Sequence, residues 1–194
     1  YSGAAAILNY AGAALDDETK EQLKALNLRL STLTNAFEKQ LLADTNEFAL
    51  IIDDPDELDG LTSGERSAAA QAAADSGHEG AFALTLTLYT GHPYLSSLTN
   101  RDTRKRLMDA SRARAQRGNA NDNSAVLLEI VRLRAERAAL LGYDTHAAYI
   151  TADETAGSPE AVHTLLRNLA VPAAANARRE QAALQEIIDA EPTP

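Results

Sequence analysis

The chain reads as mainly α, built from long helices with a single short β element near residues 82–89. Three observations predict this. About one residue in five is alanine while aromatic residues make up only 5%, a composition that favours helices over sheets. Leu23, Leu26, Leu30, Leu33 and Phe37 recur at helical steps, and the stripe passes on through Leu41, Thr45, Phe48 and Ile52. Phe82, Leu84, Leu86 and Leu88 alternate with Ala83, Thr85 and Thr87, the only stretch with the period of a strand.

The elements follow in order. Asp16–Asp17 supplies a cap and acids for a helix that the stripe carries as far as Ile52, and Asp53–Asp54–Pro55 stops it. A step of four from Phe37 to Leu41 breaks a strict heptad, which favours a straight helix on a globular core over a coiled coil. Residues 56–62 form a loop. Ser63 and Arg66 to Ala74 make an alanine-rich helix ending near Gly77. The strand at 82–89 needs a partner, sought outside the chain or in residues 91–95 because residues 49–52 continue a helical pattern. Asn100–Asp102 starts a helix running to about Arg117, and the polar run from Gly118 to Asn123 turns the chain. Asp122 or Asn123 then caps a helix from Ser124 to Leu141. The last long helix covers 159–190 and is expected to break or kink at Pro172.

Residues 133–162 (LRAERAALLGYDTHAAYITADETAGSPEAV) hold the densest helix punctuation. Gly142 suits the left-handed position after a helix. Asp144 or Thr145 caps the next one through Tyr149. Gly157 ends it, and Ser158–Pro159–Glu160 offers a cap, a first-turn proline and an acid.

Composition narrows function. The chain contains no cysteine, which excludes disulfides and thiolate chemistry. No apolar run approaches the roughly 20 residues that span a bilayer. Residues 1–97 carry 15 acids against 5 bases, and residues 98–194 carry 13 of each. That balance argues against nucleic-acid binding, which needs a net basic surface. The cluster Arg101, Arg104, Lys105, Arg106, Arg112, Arg114 and Arg117 is read first as a solvated helix face, with a phosphate or partner site as the weaker alternative. A helical zinc site needs two histidines four apart with a glutamate between. The nearest match, His78–Glu79, is followed by Gly80 and has Phe82 in the fifth place, so it reads as a turn. His92, His146 and His163 stand alone. The expected catalytic, cofactor-binding and metal-binding sets are therefore empty.

The punctuated segment 133–162 resembles a helical stretch of the thimet oligopeptidase and bacterial peptidyl-dipeptidase (dipeptidyl carboxypeptidase) family of zinc metallopeptidases. Asn100–Arg101–Asp102, Arg104, Arg106–Leu107, Ala110–Ser111, Arg114, Gly118–Asn119 and Asn121–Asp122–Asn123 resemble the helix pair before it. The segment Leu15–Asp54, with LNLRLSTLTNAFEKQLLADTNEF, is similar to the family's long helix. The resemblance implies one lobe of a neurolysin-like helical ellipsoid divided by a deep channel. It also implies a zinc-bound water with a glutamate as general base, acting on short peptides in the cytoplasm. The H-E-x-x-H of that family is absent here. We therefore expect a single helical fragment (1–98 with the long helix and β element, 99–194 a bundle segment) that forms channel wall and scaffold. The start at Tyr1 and the end at Pro192–Thr193–Pro194 agree with a fragment. The parent enzyme would bind zinc and short peptides, its catalytic domain packing on this piece. No nucleic-acid or membrane partner is expected, and self-association is, through the 23–52 stripe or the edge of the 82–89 strand. The alternative is a helical protein-interaction module with no enzymatic role.

Overall fold

A computed structural model describes residues 10–87 and 91–190. Among these, the order is α1 (Asp17–Glu47), β1 (Ala49–Ile52), a 3-10 turn (Pro55–Leu58), α2 (Ser63–Asp75), β2 (Phe82–Thr85), α3 (Gly91–Ser97), α4 (Arg101–Arg112), α5 (Ser124–Leu140), α6 (His146–Thr151) and α7 (Pro159–Ala190). The protein is mainly α. Its contacts divide the described residues into two units, Leu26–Leu133 and residues 10–25 with 134–190.

Within Leu26–Leu133, the helical stripe is a core face. Leu30 and Leu33 of α1 are buried against Ile130 and Leu133 of α5, with Leu26, Phe37 and Val126 packed beside them. Each leucine fully buried this way contributes roughly 1.5–3 kcal/mol. This part of the stripe is thus packed against α5.

The helix ends five residues earlier than its pattern predicts. β1 pairs antiparallel with β2 in the register Ala49↔Thr85, Leu50↔Leu84, Ile51↔Ala83 and Ile52↔Phe82. The sought partner of the strand is therefore residues 49–52, and residues 91–95 lie in α3. The reason is physical: Phe48–Ile52 is a short unbroken apolar run, which fits a buried helix or a strand equally well by period. Burial of Ile52 and Leu84 with Leu58, Leu61, Leu107 and Tyr94 favours the strand. Residues 88–89 of the expected strand lie outside the described residues.

Caps mark the helix starts. Thr62 and Glu65 form a reciprocal capping box on α2, worth about 1 kcal/mol. Asn100 Oδ1 accepts from Thr103 N at 3.0 Å on α4. Asp122 Oδ1 accepts from Ser124 N at 2.8 Å. α4 stops at Arg112, short of the expected Arg117, because the chain turns into left-handed backbone at Ala115.

In the other unit, Gly142 has φ +81°. Tyr143 N donates to Ala138 O and Gly142 N to Ala139 O, the double closure of a Schellman ending. Thr145 Oγ1 accepts from Ala148 N at 3.0 Å, and Ser158 Oγ accepts from Ala161 N at 3.2 Å. α7 is not broken at Pro172 and runs on to Ala190. It is exposed along its length, so water can take the Asn168 carbonyl that proline leaves without a helical donor. None of its residues is buried, and Leu165, Leu166, Leu169, Leu184, Ile187 and Ile188 are each more than half exposed.

Gly60 supplies a close approach. Its φ is +94°, and a Cβ there would lie 1.9 Å from the Ser97 carbonyl oxygen. Gly60→Ala should therefore lower stability by about 2 kcal/mol or more, from left-handed strain plus a backbone clash. Gly77→Ala, at φ +83° with nothing within 4 Å, should cost only about 1 kcal/mol. Urea unfolding of the two variants checks the order, and equal midpoints would contradict this packing.

Candidate functional site

The residues singled out by sequence do not converge. His78 and Glu79 lie in an exposed turn between Gly77 and Gly80, both at positive φ, and Phe82 opens β2. His92 is in α3, His146 begins α6, and His163 is exposed on α7. Among the described residues no three His, Cys, Asp or Glu stand close enough to hold a metal ion.

The basic cluster is largely spent on the fold. Arg104 donates to the Leu98 and Thr99 carbonyls at 2.6 and 2.7 Å. Lys105 pairs with Asp109. Arg106 reaches Glu57 at 2.7 Å, whose carboxylate also accepts from the fully buried Thr103 hydroxyl. Arg114 donates to the Leu86 carbonyl at 2.7 Å.

Arg117 leads to the most organised polar group in the chain. Asp44, on α1, is 2% exposed. Its Oδ1 accepts from Arg117 Nε at 2.9 Å and its Oδ2 from Ala115 N at 3.0 Å. Arg117 also donates to Ala110 O at 2.7 Å and lies 3.8 Å over the Phe48 ring. Ala115 has φ +54°, a conformation that costs a non-glycine residue roughly 1–2 kcal/mol. The carboxylate bond to its N–H holds it there. The signal was present in sequence: Asp44 falls on the apolar face between Leu41 and Phe48, where an unpaired charge would be costly.

Beside this clamp lies a groove of about 330 Å³, lined by Phe37, Leu41, Leu127 and Leu128 with Arg114, Ala115, Gln116, Asn123 and Ser124. Asn123 is 4% exposed. Its Nδ2 donates to Phe37 O at 2.9 Å, and its Oδ1 has no partner.

In the other unit, Tyr10 stacks on Tyr149 at 4.5 Å, and Tyr143 meets both edge-on. Burial, then the hydrogen bond with Tyr149, pushes the Tyr10 hydroxyl up to about 12. His146 lies 6.2 Å from the Tyr149 ring, and its Nδ1 is buried without a partner. Burial, followed by the nearby Arg134 and Arg137, holds its pKa below the ordinary value. Tyr10 is far in sequence from the other two, so no local pattern announced the cluster.

The profile of Peptidase family M3 matches residues 94–193. The chain belongs to peptidase family M3. It is 38% identical over 181 residues to a dipeptidyl carboxypeptidase of Salmonella typhimurium, covering 93% of this chain and 27% of that protein. A dipeptidyl carboxypeptidase of Escherichia coli is 36% identical over 92% of the chain and 26% of its own length. Oligopeptidase A of Haemophilus influenzae is 32% identical over 91% and 26%. This M3 chain thus spans about a quarter of the length of the curated relatives it matches. Among the described residues, no helix is long and apolar enough to cross a membrane.

Two predictions follow from the M3 chain's polar clusters. Asp44→Ala takes the counter-charge from the largely buried Arg117 Nε and the acceptor from the Ala115 N–H, and should cost about 3 kcal/mol in urea unfolding; a loss near zero would show that the clamp holds nothing. The second concerns pH. Below the ordinary histidine value of 6.5, the unfolded chain binds a proton that folded His146 resists, so stability falls as pH drops. Tyr10 acts at the other end: its contribution is whole below the ordinary 10.0 and is lost as pH rises toward about 12. His146→Gln should flatten the acid limb and Tyr10→Phe the alkaline one in unfolding midpoints followed against pH. Unchanged limbs would contradict the assignment.

Proposed function

We propose that this chain is a non-catalytic segment of channel wall and scaffold in a longer zinc-dependent peptidyl-dipeptidase or oligopeptidase, which hydrolyses short peptides in the cytoplasm. The observation that carries the reading is the similarity to dipeptidyl carboxypeptidase across 93% of the chain, joined to the M3 match over residues 94–193. The internal hydrogen bonds support it. Arg104, Arg106, Arg114 and Arg117 donate to carbonyls or carboxylates within Leu26–Leu133, which is the wiring of a rigid support. In this reading the chain supplies no catalytic residue and no zinc ligand.

The purified chain, given zinc and short peptides, should release no dipeptide. A longer open reading frame that continues into H-E-x-x-H should release dipeptides from free C-termini, and a chelator should stop it. Chelator-sensitive release by the chain alone would overturn the proposal. An open reading frame without that motif would instead support a helical interaction module.

The apolar face of α7 is where the remaining polypeptide would pack. Leu165, Leu166 and Leu169 near one end, and Leu184, Ile187 and Ile188 near the other, repeat at helical spacing and are exposed. Left open, such a face promotes association between copies. Light scattering should show mass rising with concentration, and Leu166→Ser with Leu169→Ser and Ile187→Ser should return the chain to a monomer. A monomer at high concentration in the unaltered chain would contradict this role for α7.

A further inference from the structure

We propose that the groove beside the Asp44 clamp binds one aliphatic residue of an extended peptide. The side chain would enter between Phe37, Leu41, Leu127 and Leu128, and the peptide unit would pair with Arg114 and Asn123. This inference needs neither zinc nor hydrolysis, so it stands or falls apart from the peptidase reading.

Three observations carry it. The groove's volume, about 330 Å³, lies in the range of small-ligand sites, which are mostly apolar with a few fixed polar groups. Its apolar lining is one phenylalanine and three leucines, and Leu127 and Leu128 are 48% and 70% exposed. Two lining residues keep unpaired polar atoms of opposite sense. Arg114 Nε is a donor without a partner, its NH2 group already engaged by Leu86 O. Asn123 Oδ1 is an acceptor without a partner, its Nδ2 engaged by Phe37 O. Buried polar groups are nearly always paired, so two orphan atoms among the residues that line one groove ask for a missing partner.

The chemistry of that partner follows from the pair. A peptide unit offers a carbonyl to Arg114 Nε and an N–H to Asn123 Oδ1. A carboxylate would satisfy the arginine but face the asparagine oxygen acceptor to acceptor. An amine would satisfy the asparagine and meet the guanidinium charge, and no acid lines the groove to hold it. A neutral amide with an aliphatic side chain satisfies every wall. Both orphan atoms are closed to solvent in the free chain, so binding includes a small side-chain adjustment of the kind common at interfaces.

The test is an NMR titration of the whole chain with N-acetyl-leucine methylamide, following the Asn123 side-chain amide, Arg114 Nε and the Leu127 and Leu128 methyls. Saturable shifts at these groups are expected. N-acetyl-glycine methylamide lacks the side chain and 3-methylbutanol lacks the peptide unit; each should bind at least about tenfold more weakly. Leu128→Ser, at an exposed position, should weaken binding by a similar factor, while Leu42→Ser, exposed but outside the groove, should leave it unchanged. Absence of saturable shifts would overturn the proposal. So would equal binding of the alcohol, which would mark a plain apolar cavity, or shifts centred on α7.

Discussion

A single buried carboxylate organises the Leu26–Leu133 unit. Asp44 has almost no contact with solvent, and its two oxygens are divided between the Arg117 guanidinium and the Ala115 backbone N–H. An isolated charge at this depth would be severely unfavourable, and the paired geometry offsets that cost. The same pairing holds Ala115 in left-handed backbone. Arg117 extends the connection to the Ala110 carbonyl and the Phe48 ring. One side chain of α1 therefore sets where α4 ends and how the loop toward α5 returns.

The loop is bound along its length. Ala115 O accepts from Asn123 N at 2.8 Å, and Asn123 reaches back to the Phe37 carbonyl. Asn121 donates to Glu47 at 2.9 Å, and Asp122 closes on Gly118 N and Ser124 N. These contacts place the first turn of α5 so that Val126, Ile130 and Leu133 meet Leu26, Leu30, Leu33 and Phe37. Arg29 and Glu129 add an ion pair at 2.8 Å on the same seam, though its exposure limits it to a minor role. The groove is a by-product of this arrangement, framed by the loop on one side and two helices on the other.

Helix punctuation was the part most legible in sequence. Asn100, Thr145, Ser158 and Gly142 occupy the caps and stops that their residue types predict, because capping depends on neighbours three or four residues away. The β1 strand was hidden because Phe48–Ile52 prolongs the spacing of α1, and only its pairing with residues 82–85 decides between helix and strand. The end of α4 was hidden for a similar reason. Ala113, Arg114 and Ala115 are good helix formers, and a carboxylate some seventy positions away overrides them. Asp44 itself could have been suspected from its place on the apolar face. Arg114 and Asn123 could not, since what distinguishes them is a partner they lack in three dimensions. The family resemblance came through ordered runs of ordinary helix residues, which is why it pointed to architecture and placed no chemistry on this chain.

Native-state amide hydrogen exchange tests the Asp44 clamp most directly. If it is the fixed point of the unit, Ala115 and Asn123 N–H should exchange as slowly as the core amides of Leu84 and Ile52, opening only when the whole unit unfolds. Exchange of Ala115 and Asn123 at the rate of an ordinary exposed loop, with the core amides still protected, would contradict the account.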